Sequence, residues 1–335
     1  MRRIWAWLAL NLGRRAGVVS LLGLVITLGL AYGITQLEFS SGQDSYLNES
    51  DQIYVDNEEY QSLFGGQAVV TLYSMDEGDT LVDLFTPENM ERMRALEEDI
   101  LEVDGTLGVV TPLTVLEFTQ SMILGDEGNP LEGVAAQALT NAREREEPGS
   151  DELAAREADF DLTVSRLGEA GEQSFDNPDW LEFLLYDNQG EIRKSQRPFF
   201  PDESQAQIIT RLVGNASLEE EGEAAEAVYD LSMAPDAQMD GAETTTTGAS
   251  LLLKELNDYL RGGILTLGAL AVAVMMLILI LLFDVRWRLL PLGVVVIGVI
   301  WGFGMAGYLG IPLSVVTIAG LPVMLAVGID YAIQL

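Results

Sequence analysis

The residues best suited to chemistry are an acid and a phenol at the end of a long apolar run. The last ten residues are AVGIDYAIQL, in which Asp330 is followed at once by Tyr331. A carboxylate among apolar helices is costly when charged, so such a group favours its protonated form and can relay a proton. Counted from Ile311 at about 1.5 Å per residue, however, Asp330 comes near the far side of a bilayer. The spacing leaves two interpretations open: a titrating group inside the membrane, or a polar residue that marks a helix end.

Small residues and one proline interrupt the last two apolar runs. In the final run they would weaken or kink the helix that carries the acid. In the run before it they would let a neighbouring helix approach closely, unless these glycines only reflect how frequent glycine is in membrane helices. The predicted hinge positions are Gly320, Pro322 and Gly328, and the predicted packing positions are Gly298 and Gly302, continued by Gly304 and Gly307.

Four apolar runs are each close to the roughly 20 residues that a helix needs to cross the hydrocarbon. They are residues 16–34, 262–283, 289–309 and 311–335. A cleaved signal peptide is the alternative for the first run, but no small-residue cleavage site follows it, which favours an anchor. The predicted fold class is therefore an α-helical membrane bundle with four spans and a large domain between the first two.

The short basic flanks predict the orientation. Arginines precede the first run and lie in the loop between the second and third, and positive flanks stay on the cytoplasmic side. Residues 1–15 are then cytoplasmic, and residues 35–260 form an extracytoplasmic domain of a multi-pass protein in the cell membrane. The arginines are Arg2, Arg3, Arg14 and Arg15 before the first run and Arg286 and Arg288 in the loop.

The domain between the first two runs is strongly acidic. Of the 52 acidic residues, 50 lie between positions 36 and 260, against 11 of the 18 basic ones, and Lys194 and Lys254 are the chain's two lysines. Charge repulsion of this size is screened at about 1 M salt, where the Debye length is about 3 Å. The pattern favours a halophilic prokaryote; the alternative is a domain that keeps anionic partners away. The sign of the charge excludes nucleic acid as a partner.

The acidic domain contains two predicted strand–helix–strand units, at about 66–115 and 204–249. The first helix starts at Thr86 and Pro87, and the second starts at a capping box formed by Ser217 and Glu220. Such a repeated order predicts an α+β domain of two ferredoxin-like βαβ units. A helical insertion at about 116–175 is broken at residues 148–149, and residues 180–200 are predicted as a strand, a turn at 187–190 and a return strand.

Residues 250–264 carry apolar side chains at helical spacing and contain no strong helix breaker before Gly262 and Gly263. A helix that continues from the domain into the second run would couple movement of one to the other. A simple connecting helix is the alternative, and the sequence favours neither.

No enzyme signature is found. The chain has no histidine and no cysteine, which excludes Ser–His–Asp and Cys–His catalysis, most zinc sites and any disulfide. Asp187, Asn188 and Gly190 resemble part of a calcium loop, but the spacing is incomplete, so no metal site is predicted. No phosphate-binding glycine loop is present, so no nucleotide or other cofactor is expected.

The stretch from LLFDVRWR through LGIPLSVVT to GIDYAIQL, together with TTTTGAS before the second run, resembles the MMPL branch of the resistance-nodulation-division (RND) superfamily of proton-driven exporters. The resemblance implies that Asp330 and Tyr331 belong to a proton relay, that residues 35–260 are a porter domain, and that lipids or other hydrophobic compounds are exported. Gln334 stands where many relatives have histidine, which leaves a third relay member open.

The same resemblance has consequences for partners. Relatives have two such halves, so this chain is expected to be an N-terminal fragment that cannot transport by itself. Its expected partners are membrane lipids, a hydrophobic substrate, a missing C-terminal half and a second copy in a homo-oligomer. Two alternatives share the architecture: an accessory of protein export, and a lipid-sensing receptor or scaffold that does not pump.

Overall fold

The computed structural model describes residues 15–37, 50–124, 133–282, 284, 289–311 and 327. The chain divides into two compact units. The apolar unit comprises Met1–Tyr54 and Glu255–Leu335, and the α+β unit comprises Val55–Lys254.

The helices and strands follow in this order. Helix α1 is Ala16–Gly33, followed by a 3₁₀ turn at Ile34–Gln36, and α2 is Gln52–Phe64. Next come β1 Ala68–Met75, a 3₁₀ turn at Leu81–Phe85, α3 Pro87–Glu102 and β2 Thr106–Val110. Four helices follow: α4 Pro112–Leu124, α5 Val134–Arg145, α6 Asp151–Glu169 and α7 Pro178–Leu185. Then come β3 Gln205–Leu212, α8 Leu218–Met233, a 3₁₀ turn at Pro235–Ala237, β4 Ala242–Gly248, α9 Ala249–Leu282 and α10 Leu290–Tyr308.

The two predicted strand–helix–strand units share one four-stranded antiparallel sheet in the order β2-β3-β1-β4. The central strand β1 pairs Val70 with Ile209 of β3 and Thr71 with Thr246 of β4. The first strand–helix–strand unit contributes β1 and β2, and β3 lies between them. The second contributes β3 and β4, and β1 lies between them. The two units are therefore interleaved, and neither can bury its strands alone.

One face of this sheet is buried beneath two helices. Alternate residues of β1 and β3, such as Val69 and Ile208, are buried, as the two-residue period of a strand requires. Helices α3 and α8 turn apolar stripes towards the core, including Met93 of α3 and Val228 of α8. Both helices begin where the sequence predicts: Thr86 accepts a hydrogen bond from the backbone of Asn89, and the capping box at Ser217 is formed.

The helical insertion between β2 and β3 contains the predicted hairpin. Helices α5 and α6 are antiparallel neighbours joined by ion pairs, Arg143 to Glu157 at 2.9 Å and Arg156 to Glu146 at 3.0 Å. The break falls at Gly149, whose φ of +85° is a conformation that side chains disfavour. The interruption predicted at residues 148–149 is thus a backbone turn that needs glycine.

The first strand–helix–strand unit, predicted to end at about residue 115 with GVVTPLTV (108–115) as its second strand, is shorter than predicted, because β2 ends at Val110. Thr111 accepts a hydrogen bond from the backbone nitrogen of Thr114 at 3.1 Å, and Pro112 occupies the first turn of α4. Threonine followed by proline is a helix start, and this local signal outweighs the β-branched composition of the segment.

The strand pair predicted at 180–200 is wrong. Pro178–Leu185 is helix α7, whose first turn is capped by Asn177, and only an isolated bridge joins Tyr186 to Ile192. A short apolar run is compatible with a helix or a strand, and the Asn–Pro start decides for the helix. The turn at 187–190 is present: Gly190 donates its backbone hydrogen bond to the carbonyl of Asp187 at 3.1 Å.

Two described stretches are long and apolar enough to cross a membrane, Ala16–Gln36 and Leu290–Tyr308. They correspond to the predicted runs 16–34 and 289–309. Residues 262–282 of the predicted run 262–283 lie within α9, which contains a shorter apolar stretch at Gly268–Leu281, and residue 283 lies outside the described residues. The run 311–335 lies outside the described residues apart from Ile311 and Val327.

Candidate functional site

The predicted relay pair, Asp330 and Tyr331, lies outside the described residues, as do the predicted hinge positions Gly320, Pro322 and Gly328. The predicted packing positions Gly298 and Gly302 lie on α10, where an added Cβ would meet no atom of the described residues within 4 Å. Their proposed role in packing therefore stays a prediction.

Two other glycines of α10 form a close contact with α1. A Cβ built on Gly304 would overlap the backbone carbonyl of Leu30, and one on Gly307 would overlap the carbonyl of Gly33. In the opposite direction, a Cβ on Gly33 would overlap the carbonyl of Gly304. The backbones of α1 and α10 can approach this closely only because glycine has no side chain. Close backbone approach at small residues is how membrane helices gain packing contacts. Gly33 was not identified from the sequence, although it lies four positions after Gly29.

Side-chain hydrogen bonds join the same two helices. The indole nitrogen of Trp301 donates to the hydroxyl of Thr27 at 2.9 Å, and that hydroxyl donates to the carbonyl of Gly23 at 2.8 Å. The hydroxyl of Tyr308 donates to the carbonyl of Gly29 at 2.7 Å. The hydroxyl of Thr27 thus both accepts and donates, and α1 and α10 form a helix pair with specific polar and steric contacts.

Helix α9 runs without interruption through Gly262 and Gly263. Its start lies in the α+β unit, where Lys254 pairs with Glu226 of α8 at 3.0 Å and Ser250 donates to Glu221 at 3.2 Å. The helix thus continues without a break into the second apolar run, whereas the sequence left open whether it couples the two or only connects them.

The α+β unit contains a cavity of about 540 Å³ in its helical insertion. This volume lies within the roughly 300–1,000 Å³ of ligand pockets. The walls are mostly apolar, and a few polar groups line the cavity beside them. The lining residues include Phe118, Thr119 and Met122 of α4, Val134 and Ala138 of α5, and Arg193 and Gln196 of the segment before β3.

Gln196 is the most buried polar group in this cavity, with 1% of its surface exposed. Its Nε2 donates to the hydroxyl of Thr119 at 2.8 Å and to the carbonyl of Leu184 at 3.0 Å. Its Oε1 accepts no hydrogen bond from any residue that the structure describes. A buried acceptor without a donor costs about 1–3 kcal/mol. This oxygen is also closed off from the cavity, so a molecule bound there would not reach it without movement of the walls.

Arg193 is held next to it. Its Nε donates to the carbonyl of Leu184 at 3.0 Å and its Nη2 to the carbonyl of Phe183 at 2.7 Å, while its guanidinium lies 5.5 Å from the centre of the Phe183 ring. Burial lowers the pKa of Arg193 from its ordinary value. The two bonded carbonyls belong to the last turn of α7, where a cation is favoured. No sequence pattern indicated this arrangement, because it joins a helix end to a later irregular segment.

The calcium-loop resemblance at Asp187 has a structural explanation. Burial tends to raise the pKa of this carboxylate, but backbone hydrogen bonds from Gln189 and Glu191 and nearby arginines lower it below its usual range. Asn188 bonds to Asp159 and Thr163 of α6. Within the described part of the chain, no cluster of three or more acidic, histidine or cysteine side chains could hold a metal ion.

The class of protein follows from two features. Helices α1 and α10 form an apolar pair, and the α+β unit lies between them in the sequence. Two helices that are long and apolar enough to cross a membrane flank an α+β unit in the chain, an arrangement typical of a membrane protein with a large inserted domain. The model of the MMPL family matches residues 188–335, a stretch that includes β3, α8, β4, α9 and α10. Residues 188–335 are therefore similar to the MMPL family, in agreement with the resemblance that the sequence motifs indicated.

One relative is similar to the chain over most of its length. The protein named "Putative membrane protein MJ1562" from Methanocaldococcus jannaschii is 21% identical over 318 residues, which cover 93% of this chain and 68% of that protein. The similarity extends over both units of the chain. The family match and the printed name of this relative support a membrane location, in agreement with the two apolar helices.

Proposed function

We propose that this chain is part of an RND-type transporter that uses the proton gradient to export lipids or other hydrophobic compounds. The observation that carries the proposal is the MMPL match over residues 188–335, because this stretch contains the Asp330–Tyr331 pair. It also contains the second strand–helix–strand unit and the long helix α9. The residues of a proton-linked step and part of a substrate-binding domain would therefore lie in one continuous segment that matches the family.

The energy for export would come from proton movement through Asp330. One charge that crosses the membrane potential supplies about 2.3 kcal/mol per 100 mV. Asp330 would take up a proton from outside and release it inside, with Tyr331 as its neighbour in the relay and Gly320, Pro322 and Gly328 as the hinge of the same helix. The pair of α1 and α10, which is held by backbone contact at Gly304 and Gly307, suits a rigid part against which such a helix moves.

The α+β unit would serve as the porter domain outside the cell. Its strand order β2-β3-β1-β4 with α3 and α8 on one face agrees with a ferredoxin-like domain, in which the helical insertion α4–α7 is an addition. The continuous helix α9 would transmit tilting of a span to this domain. The N-terminus would then be cytoplasmic, and a second half of the protein or a second copy would complete the relay and the export path.

The test is a transport assay on the complete protein in proteoliposomes with an imposed pH gradient. Asp330→Asn keeps the size of the side chain and removes its ability to carry a proton, so proton influx and export of a fluorescent lipid should both fall to background. Asp284→Asn is the matched control, because Asp284 is the other acid after position 260 and is exposed before α10. Undiminished proton-driven export by Asp330→Asn would refute the relay.

The same assay separates the proposal from its main alternative. A wild-type protein that binds the lipid but moves neither protons nor lipid down a gradient would act as a receptor or scaffold. Coupled fluxes in the wild type, lost in Asp330→Asn and retained in Asp284→Asn, would support export.

A further inference from the structure

The last turns of helix α2 present large apolar side chains to the outside of the α+β unit. Leu63 is 69% exposed, and Tyr60 and Phe64, whose ring centres lie 5.0 Å apart, are about half exposed. Leu107 of β2, also exposed, lies beside Gly65, the residue that follows this helix. These four side chains, Tyr60, Leu63, Phe64 and Leu107, are called the α2 patch below. Exposed apolar side chains grouped in this way mark an interaction site.

The opposite side of α2 is attached to the α+β unit by polar contacts. The side-chain oxygen of Gln61 accepts a hydrogen bond from the backbone nitrogen of Asn215 at 3.0 Å, and the carbonyl of Glu58 accepts one from the Nδ2 of Asn215 at 3.1 Å. A surface helix in water normally turns its apolar side to the core and its polar side outwards. In α2 this arrangement is reversed, so the outer side of the helix is suited to an apolar surrounding rather than to water.

The connections of the chain indicate what that surrounding is. Val69 of β1 pairs with Gly248 of β4, so β1 starts at the same end of the sheet at which β4 ends. Helix α2 leads into β1 at this end, and α9 begins directly after β4 and continues into the apolar stretch Gly268–Leu281. The apolar helix α1 precedes α2 in the chain. The α2 patch therefore lies at the end of the sheet from which the chain continues, in both directions, into apolar helices.

Charge and residue type favour lipid over a second copy of the chain. Helix α2 contains three acids, Asp56, Glu58 and Glu59, and no basic residue, so a two-fold contact between copies would bring like charges together. Tyrosine is enriched at the headgroup level of membranes. Beside Tyr60, Arg211 donates to its hydroxyl at 3.5 Å, and a guanidinium at the edge of the patch suits a lipid phosphate.

We propose that the α2 patch lies in the headgroup layer of the membrane, with α2 parallel to the bilayer surface and its polar side towards the α+β unit. Burial of the patch in this layer stabilises the contact by removing apolar surface from water, as in interfacial amphipathic helices. The contact attaches one end of the α+β unit to the lipid. The inference rests on the membrane location of the chain and does not depend on proton-driven export.

The chain has no cysteine, so a single introduced thiol carries a spin label without background. Leu63→Cys places the label in the patch, and Ser62→Cys places a matched label at an exposed polar position of the same turn. With the full chain in phosphatidylcholine nanodiscs, power saturation compares collisions of each label with oxygen, which concentrates in lipid, and with a water-soluble nickel chelate. We expect a higher oxygen-to-nickel ratio at Leu63→Cys than at Ser62→Cys. The label at Ser62→Cys should resemble one at Ala155→Cys on the exposed surface of α6.

Two further labels decide between the possible outcomes. Tyr60→Cys should show the same high ratio as Leu63→Cys, because both positions lie on the side of α2 that is proposed to face lipid. Leu28→Cys on the exposed surface of α1 reports whether the chain is in the bilayer at all, and a label in water there would overturn the membrane location itself. With Leu28→Cys in lipid, a nickel-accessible label at Leu63→Cys would overturn the patch contact alone. Access to neither reagent at Leu63→Cys would show that protein covers the patch, which would also overturn the proposal.

Discussion

Each of the two units of this chain has its own kind of internal contact, and the two kinds are opposite. In the α+β unit the largest side chains are the most buried, with Trp180, Tyr73 and Phe200 fully enclosed. In the apolar unit the closest approach between α1 and α10 is at glycines, while large side chains such as Leu28 and Leu281 are 63% and 72% exposed. Water drives apolar side chains into a core, whereas lipid gives no such drive and rewards backbone proximity instead.

This difference predicts opposite sensitivities to side-chain size. Loss of volume should damage the α+β unit, because its core depends on filled space. Gain of volume should damage the pair of α1 and α10, because its contact depends on absent side chains. The predictions below test this contrast, beginning with the largest effect.

Trp180→Ala should destabilise the α+β unit by about 3–5 kcal/mol, since it empties the largest fully buried position. The change also removes the hydrogen bond from the indole to Gln120 and the stacking on Phe183. Denaturant unfolding of the full chain, followed by near-ultraviolet circular dichroism, gives the loss. Phe118→Ala is the control, because that ring is exposed and its removal should cost far less. Equal losses in the two variants would contradict a core built on filled volume.

Gly304→Leu should weaken the pair of α1 and α10 by about 1–3 kcal/mol or more, because its side chain would collide with the backbone of Leu30. The matched control is Gly298→Leu on the same helix, where the described residues leave open space. Unfolding in detergent micelles titrated with sodium dodecyl sulfate, followed by tryptophan fluorescence, compares the two. A larger loss for Gly298→Leu would show that the important glycine contact is with a different helix.

The parts of this fold that are predictable from sequence are those encoded locally. The caps at Thr86 and Ser217 and the break at Gly149 depend on a few neighbouring residues, and each forms where the sequence indicates. The helix at Pro178–Leu185 was missed because its apolar run was weighted above the Asn–Pro pair that starts it. The order of the strands depends on pairing between distant residues, such as Thr71 with Thr246, and no local pattern specifies it.

The candidate sites show the same division. Small residues on α10 were recognised as packing positions, but which of them face α1 depends on the rotation of both helices. Gly304 and Gly307 contact α1, and their partner Gly33 lies some 270 residues earlier in the chain. The cavity at Gln196 was not predicted at all, because its polar group comes from an irregular segment and its walls come from two helices. The relay role of Asp330 and Tyr331 stays a prediction that rests on the resemblance of the closing motif.

Ser217→Ala should cost about 1 kcal/mol, because it removes the cap of α8. The contrast with the apolar unit is direct, since α1 and α10 start without a side-chain cap. Hydrogen bonds from the backbone and the hydroxyl of Ser217 lower the pKa of Glu220 from its ordinary 4.5. A lowered pKa contributes stability that is present above pH 4.5 and is lost as the pH falls below it.

Unfolding midpoints measured across this pH range test the cap. The loss of stability on acidification should be somewhat smaller in Ser217→Ala than in the wild type, because the carboxylate of Glu220 loses the hydroxyl donor and keeps only the backbone N–H of position 217. Glu219→Gln changes a residue of the same turn but leaves Ser217 and Glu220 in place. This variant should therefore lose as much stability on acidification as the wild type. An unchanged acid response in Ser217→Ala would contradict the coupling between the two side chains.

Thr27→Val should have the smallest effect, about 0.6 kcal/mol, which is the average for hydrogen bonds between membrane helices. Thr27 donates to the carbonyl four residues earlier and accepts the bond from Trp301. Thr266 of α9 makes the same bond to the carbonyl of Gly262, and the described residues offer it no donor from another helix. Thr266→Val is therefore the matched control, and the difference between the variants in the detergent titration isolates the bond to Trp301. If both changes had equal effects, the contact between α1 and α10 would depend on its glycines alone.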